Sequence, residues 1–353
     1  MPHAMPKARG HAPPPEAFRT HSNYLRAFAR LVAPGAGTTD DALAIVAATV
    51  ASFPAVGRTL AGKHGALNSL SIAWRTELLL DLTASALADD EFVKLANTWA
   101  VIQVYYVFYH CTQALAQAKG HPRAPSHPKT QNQFYDFWGA RALLISPWTL
   151  AFGHSGYRNV PPSVQVQHPI HPWSTCDDLT CWSLAVMALR TTREDAVLDT
   201  LAQKRADGQR ERRKAWDAKE AARVQHGLKA HKRPRFPKPQ LTTEEKTQAR
   251  QRVRPSTIMD YLFRLRIRTN YEDSAMFTDG PEVEGASLEV LHNLRRLSAA
   301  TLLVHELTLA ELLGRDTLLE QVTRFLDLTA PTGIVVSLRQ RLALLQQHAR
   351  NGV

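Results

Sequence analysis

Residues 95–118 read LANTWAVIQVYYVFYHCTQALAQA, and between Lys94 and Lys119 there is no Asp, Glu, Lys or Arg. That is about the length of a bilayer-spanning helix. Asn97, Gln103, His110, Gln113 and Gln117 interrupt it, however, and each polar group costs free energy in hydrocarbon. The stretch therefore predicts a buried core helix from about residue 91 to 118, stopped by Gly120 and Pro122. Upstream, Leu78, Leu79, Leu82, Ala86 and Leu87 recur at helical spacing, and Asp89 and Asp90 can cap the core helix after them. Downstream, Leu288, Leu291, Leu294 and Leu302 keep a similar period, and Leu338, Leu342 and Leu345 repeat it. Few stretches alternate with period two. The expected fold is mainly α, a helical bundle with no convincing sheet.

Composition agrees with a folded, reducing-compartment protein. Of 353 residues, 44% are hydrophobic and 21% charged, enough for a core. Cys111, Cys176 and Cys181 are too few for a disulfide framework, so a cytoplasmic location and no membrane association are expected. Residues 1–20, opening MPHAMPKARGHAPPP, read as a disordered tail without the apolar core of a secretory signal. Residues 21–145 form the N-terminal part of the bundle, and 146–176, rich in Pro and Gly, a loop region with ordered turns. Residues 177–255 form a basic insertion of helix and linker, and 256–353 the C-terminal part of the bundle.

The net charge of +11 is localised. Residues 204–254 carry 17 Lys and Arg against 6 Asp and Glu, and the rest of the chain has 26 of each sign. Within this segment, RERRKAW sets Arg212, Arg213 and Lys214 beside Trp216. HKRPRFPKP interleaves Lys232, Arg233 and Arg235 with Phe236. Cations neutralise phosphates and aromatic faces stack on unpaired bases, so these seven residues other than Phe236 are the candidate nucleic-acid contacts. A solvated helix and linker is the plainer alternative. Nothing in the segment points to sequence-specific reading. Its prolines end the helix, and TTEEK from Thr242 opens the next one with a capping box.

Two separated segments resemble HEPN domains. One is YYVFYHCTQALAQAKG at 105–120, followed by SHPKTQNQF; the other is YLFRLRIRTNYEDSAMF at 261–277, with LRTTR at 189–193 also suited to such domains. The resemblance implies a bundle of four or five helices, here with the basic segment inserted. It implies an RNA-associated role in a defence or toxin-like system, or a metal-independent ribonuclease. Family catalysis uses an Arg, a polar residue and a nearby His. The matching positions here are Arg266 or Arg268 with Asn270 and Tyr271, and no His occupies the window, so His110 is the remaining candidate. Arg58 with His64 and Arg341 with His348 have compatible spacing, but 31 Arg and 15 His give such pairs by chance.

Other constellations are weaker. His168, His171, Cys176 and Cys181 could complete a tetrahedral zinc shell, although both spacings depart from the finger pattern. The plainer reading packs Cys181 in a helix and leaves the histidines in solvent. GHSGY at 153–157 lacks the second Gly of a nucleophile elbow and no strand is expected before it. No phosphate-binding loop or dinucleotide fingerprint occurs, so no cofactor is expected. The expected partners are nucleic acid, RNA above all, with a second copy or an acidic protein as the alternatives; a helical interaction scaffold is the corresponding third function.

Overall fold

The computed structural model describes residues 13–54, 57–59, 61–86, 89–141, 143–273, 275–330 and 336–349. Its helices are α1 (Pro14–Leu31), α2 (Thr39–Ala51), α3 (Lys63–Ala86), α4 (Asp90–Ala118), α5 (His127–Phe134) and α6 (Cys181–Gln225). They continue with α7 (Thr243–Arg252), α8 (Ile258–Ile267), α9 (Ala275–Thr278), α10 (Ala286–Leu313), α11 (Arg315–Thr329) and α12 (Val336–His348). The protein is mainly helical. No helix among the described residues is long and apolar enough to cross a membrane.

The charge-free run becomes α4 because that helix is enclosed on several sides. It packs on α3, α10 and α8. Val101, Val104, Tyr105, Val107, Phe108, Cys111 and Ala114 are all inaccessible. A helix apolar all round is a core helix when its neighbours cover it. Its polar interruptions fasten it to those neighbours. Asn97 donates to the Ser287 carbonyl (2.9 Å), Gln113 to the Thr130 hydroxyl (2.5 Å), and Gln117 to the Ser69 hydroxyl (2.7 Å). Asp89 caps α4, accepting from the Glu91 amide, and Gly120 ends it at φ +81°, where glycine carries no Cβ penalty.

The other central helix, α10, packs against α1, α2, α3, α4, α11 and α12. It carries a buried charge network. Arg341 of α12 is fully buried between Glu77 of α3 (2.7 and 2.8 Å) and Glu306 of α10 (3.0 Å). Trp74 also donates to Glu306 (2.7 Å). Arg341 is thus a packing residue, and its chance pairing with His348 has no bearing on a nuclease site.

Three expectations need correction. Residues 14–20 belong to α1, not to a tail: Pro14 and Pro15 start the helix, where a missing N–H loses nothing. Residues 1–12 of the expected tail lie outside the described residues. The loop region contains a two-stranded antiparallel hairpin, β1 (Ala151–Gly153) with β2 (Gly156–Arg158). A strand therefore does precede GHSGY, but it turns into a second strand and no helix comes after it, so no nucleophile elbow forms.

Candidate nucleic-acid interface

The first part of α6 belongs to the bundle. Cys181, Leu184, Ala185, Ala188 and Leu189 are buried as the helix packs on α1 and α8. Val197 and Leu201 then join Leu241 and Ala249 in a small second core. Beyond Leu201 the helix is mostly exposed, forming a basic arm. The linker after the arm has no regular structure, yet it is strapped antiparallel along it. Glu220 accepts from the His231 backbone, Asp217 pairs with Arg233 (2.6 Å), and Gln209 donates to the Phe236 carbonyl. Pro239 lies over Gly208, and Lys204 reaches Glu245 of α7 (3.8 Å). The Thr242 capping box forms as the sequence implies.

This geometry sorts the seven candidate contacts. Arg212, Arg213, Lys214, Lys232 and Arg235 are exposed and have no carboxylate partner among the described residues. Arg233 is committed to Asp217. Trp216 is half-buried, its ring edge-on to Phe236 at 6.3 Å. Five cations are therefore available, and one aromatic holds the strap.

Segments 105–120 and 261–277 pack against each other. α4 and α8 pack directly, with Tyr105 and Phe263 rings 5.6 Å apart. Arg266 lies over Tyr105 (5.1 Å), Phe263 (5.2 Å) and Tyr106 (5.8 Å), an arrangement suited to cation–π attraction. His110 stacks on Tyr106 at 6.0 Å and sits edge-on to Tyr109 at 5.2 Å. His127, at the start of α5, packs on Tyr109 at 5.1 Å and bonds the Tyr105 hydroxyl at 2.7 Å. Two histidines and one guanidinium thus surround a tyrosine cluster. Burial, with Arg123 adding to it, lowers His110 to about 4, and its Nδ1 is buried without a partner. Burial and then Arg266 lower His127 as well. Burial thus favours the neutral form of both imidazoles.

Arg268 points elsewhere. It donates to His21 Nε2 (3.1 Å) and faces Asp273 (3.7 Å). With Nε2 accepting, His21 must carry its proton on Nδ1 and donate to the Tyr261 hydroxyl (3.1 Å). Asn270 and Tyr271 lie on the π-helical turn Arg268–Glu272 that ends α8, Tyr271 exposed and Asn270 half-buried. The sequence candidates therefore divide: His110 and Arg266 converge on Tyr106, while Arg268 takes part in an internal chain.

The His/Cys loop does not assemble. Cys176 and Cys181 are buried free thiols, with burial raising them to about 11 and about 12. His168 and His171 are exposed and pack on Tyr157 and Trp173. No group of three or more His, Cys, Asp or Glu suited to a metal occurs among the described residues.

A cavity of about 270 Å³ lies where the arm leaves the bundle, between α5, α6, α8 and the end of α7. Gln131, Asn132, Ser256, Arg254, Ala196 and Phe263 line it. Phe263 and the start of α5 also border the tyrosine cluster, so arm, cavity and cluster are contiguous. Sequence reading missed His127 as a partner of His110, and missed Gln131 and Asn132 altogether. The SHPKTQNQF segment contains all three, but only the α5–α8 packing gives them a common setting. No family model matches the chain, and comparison with characterised proteins and with solved structures finds no match either.

Proposed function

We propose that the protein binds single-stranded RNA through the basic arm, as a helical protein of HEPN-like build. The observation that carries this reading is the set of five exposed cations without a carboxylate partner among the described residues, three on the helix of the arm and two on the strap laid along it. Phosphate neutralisation by such cations releases condensed counterions, and a fixed array loses little conformational freedom on binding. Binding of a fluorescent oligoribonucleotide across a salt series tests it. Affinity falling linearly in log–log form with salt supports the arm reading. A protein that binds no RNA at low salt would instead direct the arm to an acidic protein partner.

A ribonuclease is the second reading, favoured by the two neutral histidines and Arg266 around Tyr106 and Tyr109. A neutral imidazole can take the 2′-hydroxyl proton, and a nearby guanidinium can offset the charge that develops on the phosphate. Cleavage of labelled RNA by the wild type, lost in both His110→Ala and His127→Ala, supports it. Equal background cleavage by all three proteins removes it.

A further inference from the structure

We infer that the cavity at the root of the arm takes one unstacked adenine base from a strand lying along the arm, an inference that rests on the arm reading for the strand and on the cavity itself for the base. At about 270 Å³ the cavity sits just below the ~300 Å³ lower bound of drug-sized pockets, which suits one nucleobase better than a larger ligand. Three of its polar side chains keep capacity for a ligand. Gln131 is 7% exposed, yet its side-chain amide bonds no described residue and opens into the cavity. Ser256, 4% exposed, likewise has no partner for its hydroxyl. Asn132 accepts from Arg254 through Oδ1 (2.7 Å) and keeps its NH₂ free.

Gln131 is largely covered, yet its amide N and O have no partner among the described residues and face the open cavity, where a ligand can reach them. Here the amide presents a donor and an acceptor side by side. That is the pattern that pairs in bidentate fashion with N6 and N7 of adenine. Phe263 supplies the aromatic wall on which a flat ring stacks, and unpaired RNA bases are held in this combined way. The remaining guanidiniums are already engaged: Arg254 with Asp260 (2.6 Å) and Arg264 with Asp199 (3.3 Å). They hold the walls in place and leave recognition to the amides.

The position relative to the arm fits the same strand. Asp199 and Ala196 of α6 form one wall, and Lys214, five whole turns beyond Ala196, lies on the same face of that helix about 27 Å further out at 1.5 Å per residue. A strand paired with Lys214 on that face would run toward this opening.

The test titrates the full chain with AMP, GMP, CMP and UMP, followed by ligand-observed NMR. AMP should bind most tightly. Gln131→Leu, which keeps the bulk and removes the amide, and Ala196→Leu, which fills the cavity without touching a polar group, should each weaken AMP by at least about tenfold. Ala196 is half-exposed on a helix that favours leucine, so this variant keeps the fold in case Gln131→Leu does not. AMP binding no tighter than UMP, or both variants binding AMP as the wild type does, overturns the inference. The two readings separate in the same samples. AMP binding with no salt-dependent oligonucleotide binding sinks the arm reading and leaves the pocket standing. Salt-dependent oligonucleotide binding that AMP neither competes with nor accompanies sinks the pocket alone.

Discussion

Pro239 lies so close to Gly208 that a Cβ placed on the glycine would stand 2.9 Å from the proline Cγ. Nothing flexible can move aside there, since the proline ring is rigid and the opposing atom belongs to a helix. Gly208 is therefore the point at which the strap can lie flat on the arm, although glycine lowers the helix propensity of α6. Gly208→Val should lift the strap and leave the bundle intact. Limited proteolysis between Lys229 and Lys246 should accelerate while the thermal melting of the bundle stays where it is. Equal cleavage rates in both proteins would show that the strap is not held at this contact.

Replacing Arg212, Arg213 and Lys214 together by Ala should lower the slope of log affinity against log salt by about two units, at roughly 0.7 per lost contact with single-stranded RNA. All sequences should weaken alike, because backbone contacts carry no base information. An unchanged slope would mean that these three cations meet no phosphate.

Arg341→Leu should destabilise the fold by about 3–5 kcal/mol, since it strands Glu77 and Glu306 in the core without their common partner. Urea denaturation reads this directly. A loss below about 1 kcal/mol would mean that water reaches the two carboxylates.

Glu77 also predicts a pH dependence. Burial, helped by neighbouring Asp81 and Glu306 and opposed by Arg341, raises it to about 7 from 4.5. The folded state therefore binds the extra proton between those values, and stability from this group is full below about 4.5 and lost as pH rises to about 7. Glu77→Gln, which mimics the protonated side chain, should flatten the decline of melting temperature over that range. An identical decline in wild type and variant would remove Glu77 as its source.

His21 has the opposite sign. Burial, with Arg268 adding to it, lowers this imidazole to about 3 from 6.5. Its contribution is present above about 6.5 and is lost as pH falls toward 3, because the unfolded chain takes up the proton first. In NMR titration the His21 ring should keep its neutral shifts down to pH 5. Protonation of His21 above pH 5 would show that the Arg268–His21–Tyr261 chain is open to water.

Much of this architecture is legible in particular residues. The charge-free run, Asp89 and Gly120 mark α4 at both ends, and Thr242 with Glu245 marks α7, because caps and periodicity are local properties. The start of α1 is misread for an equally local reason: prolines before position 16 look like a tail, whereas proline in a first turn favours a helix. The strap is beyond such reading. Pairing of Asp217 with Arg233, and of Gly208 with Pro239, depends on where a linker without a repeating pattern comes to rest. The division between Arg266 and Arg268 is similar. Two residues apart, they leave the end of α8 in different directions, and only the position of α1 reveals that His21 waits for one of them.

The unbroken course of α6 has a mechanical consequence. Its 45 residues span about 68 Å as one rod, seated in the bundle at one end and free at the other. Thr192, Ala196 and Asp199 lie near the fulcrum and form a wall of the root cavity. Any force on the outer end of such a rod acts as torque at that wall, with the longer side of the lever outside.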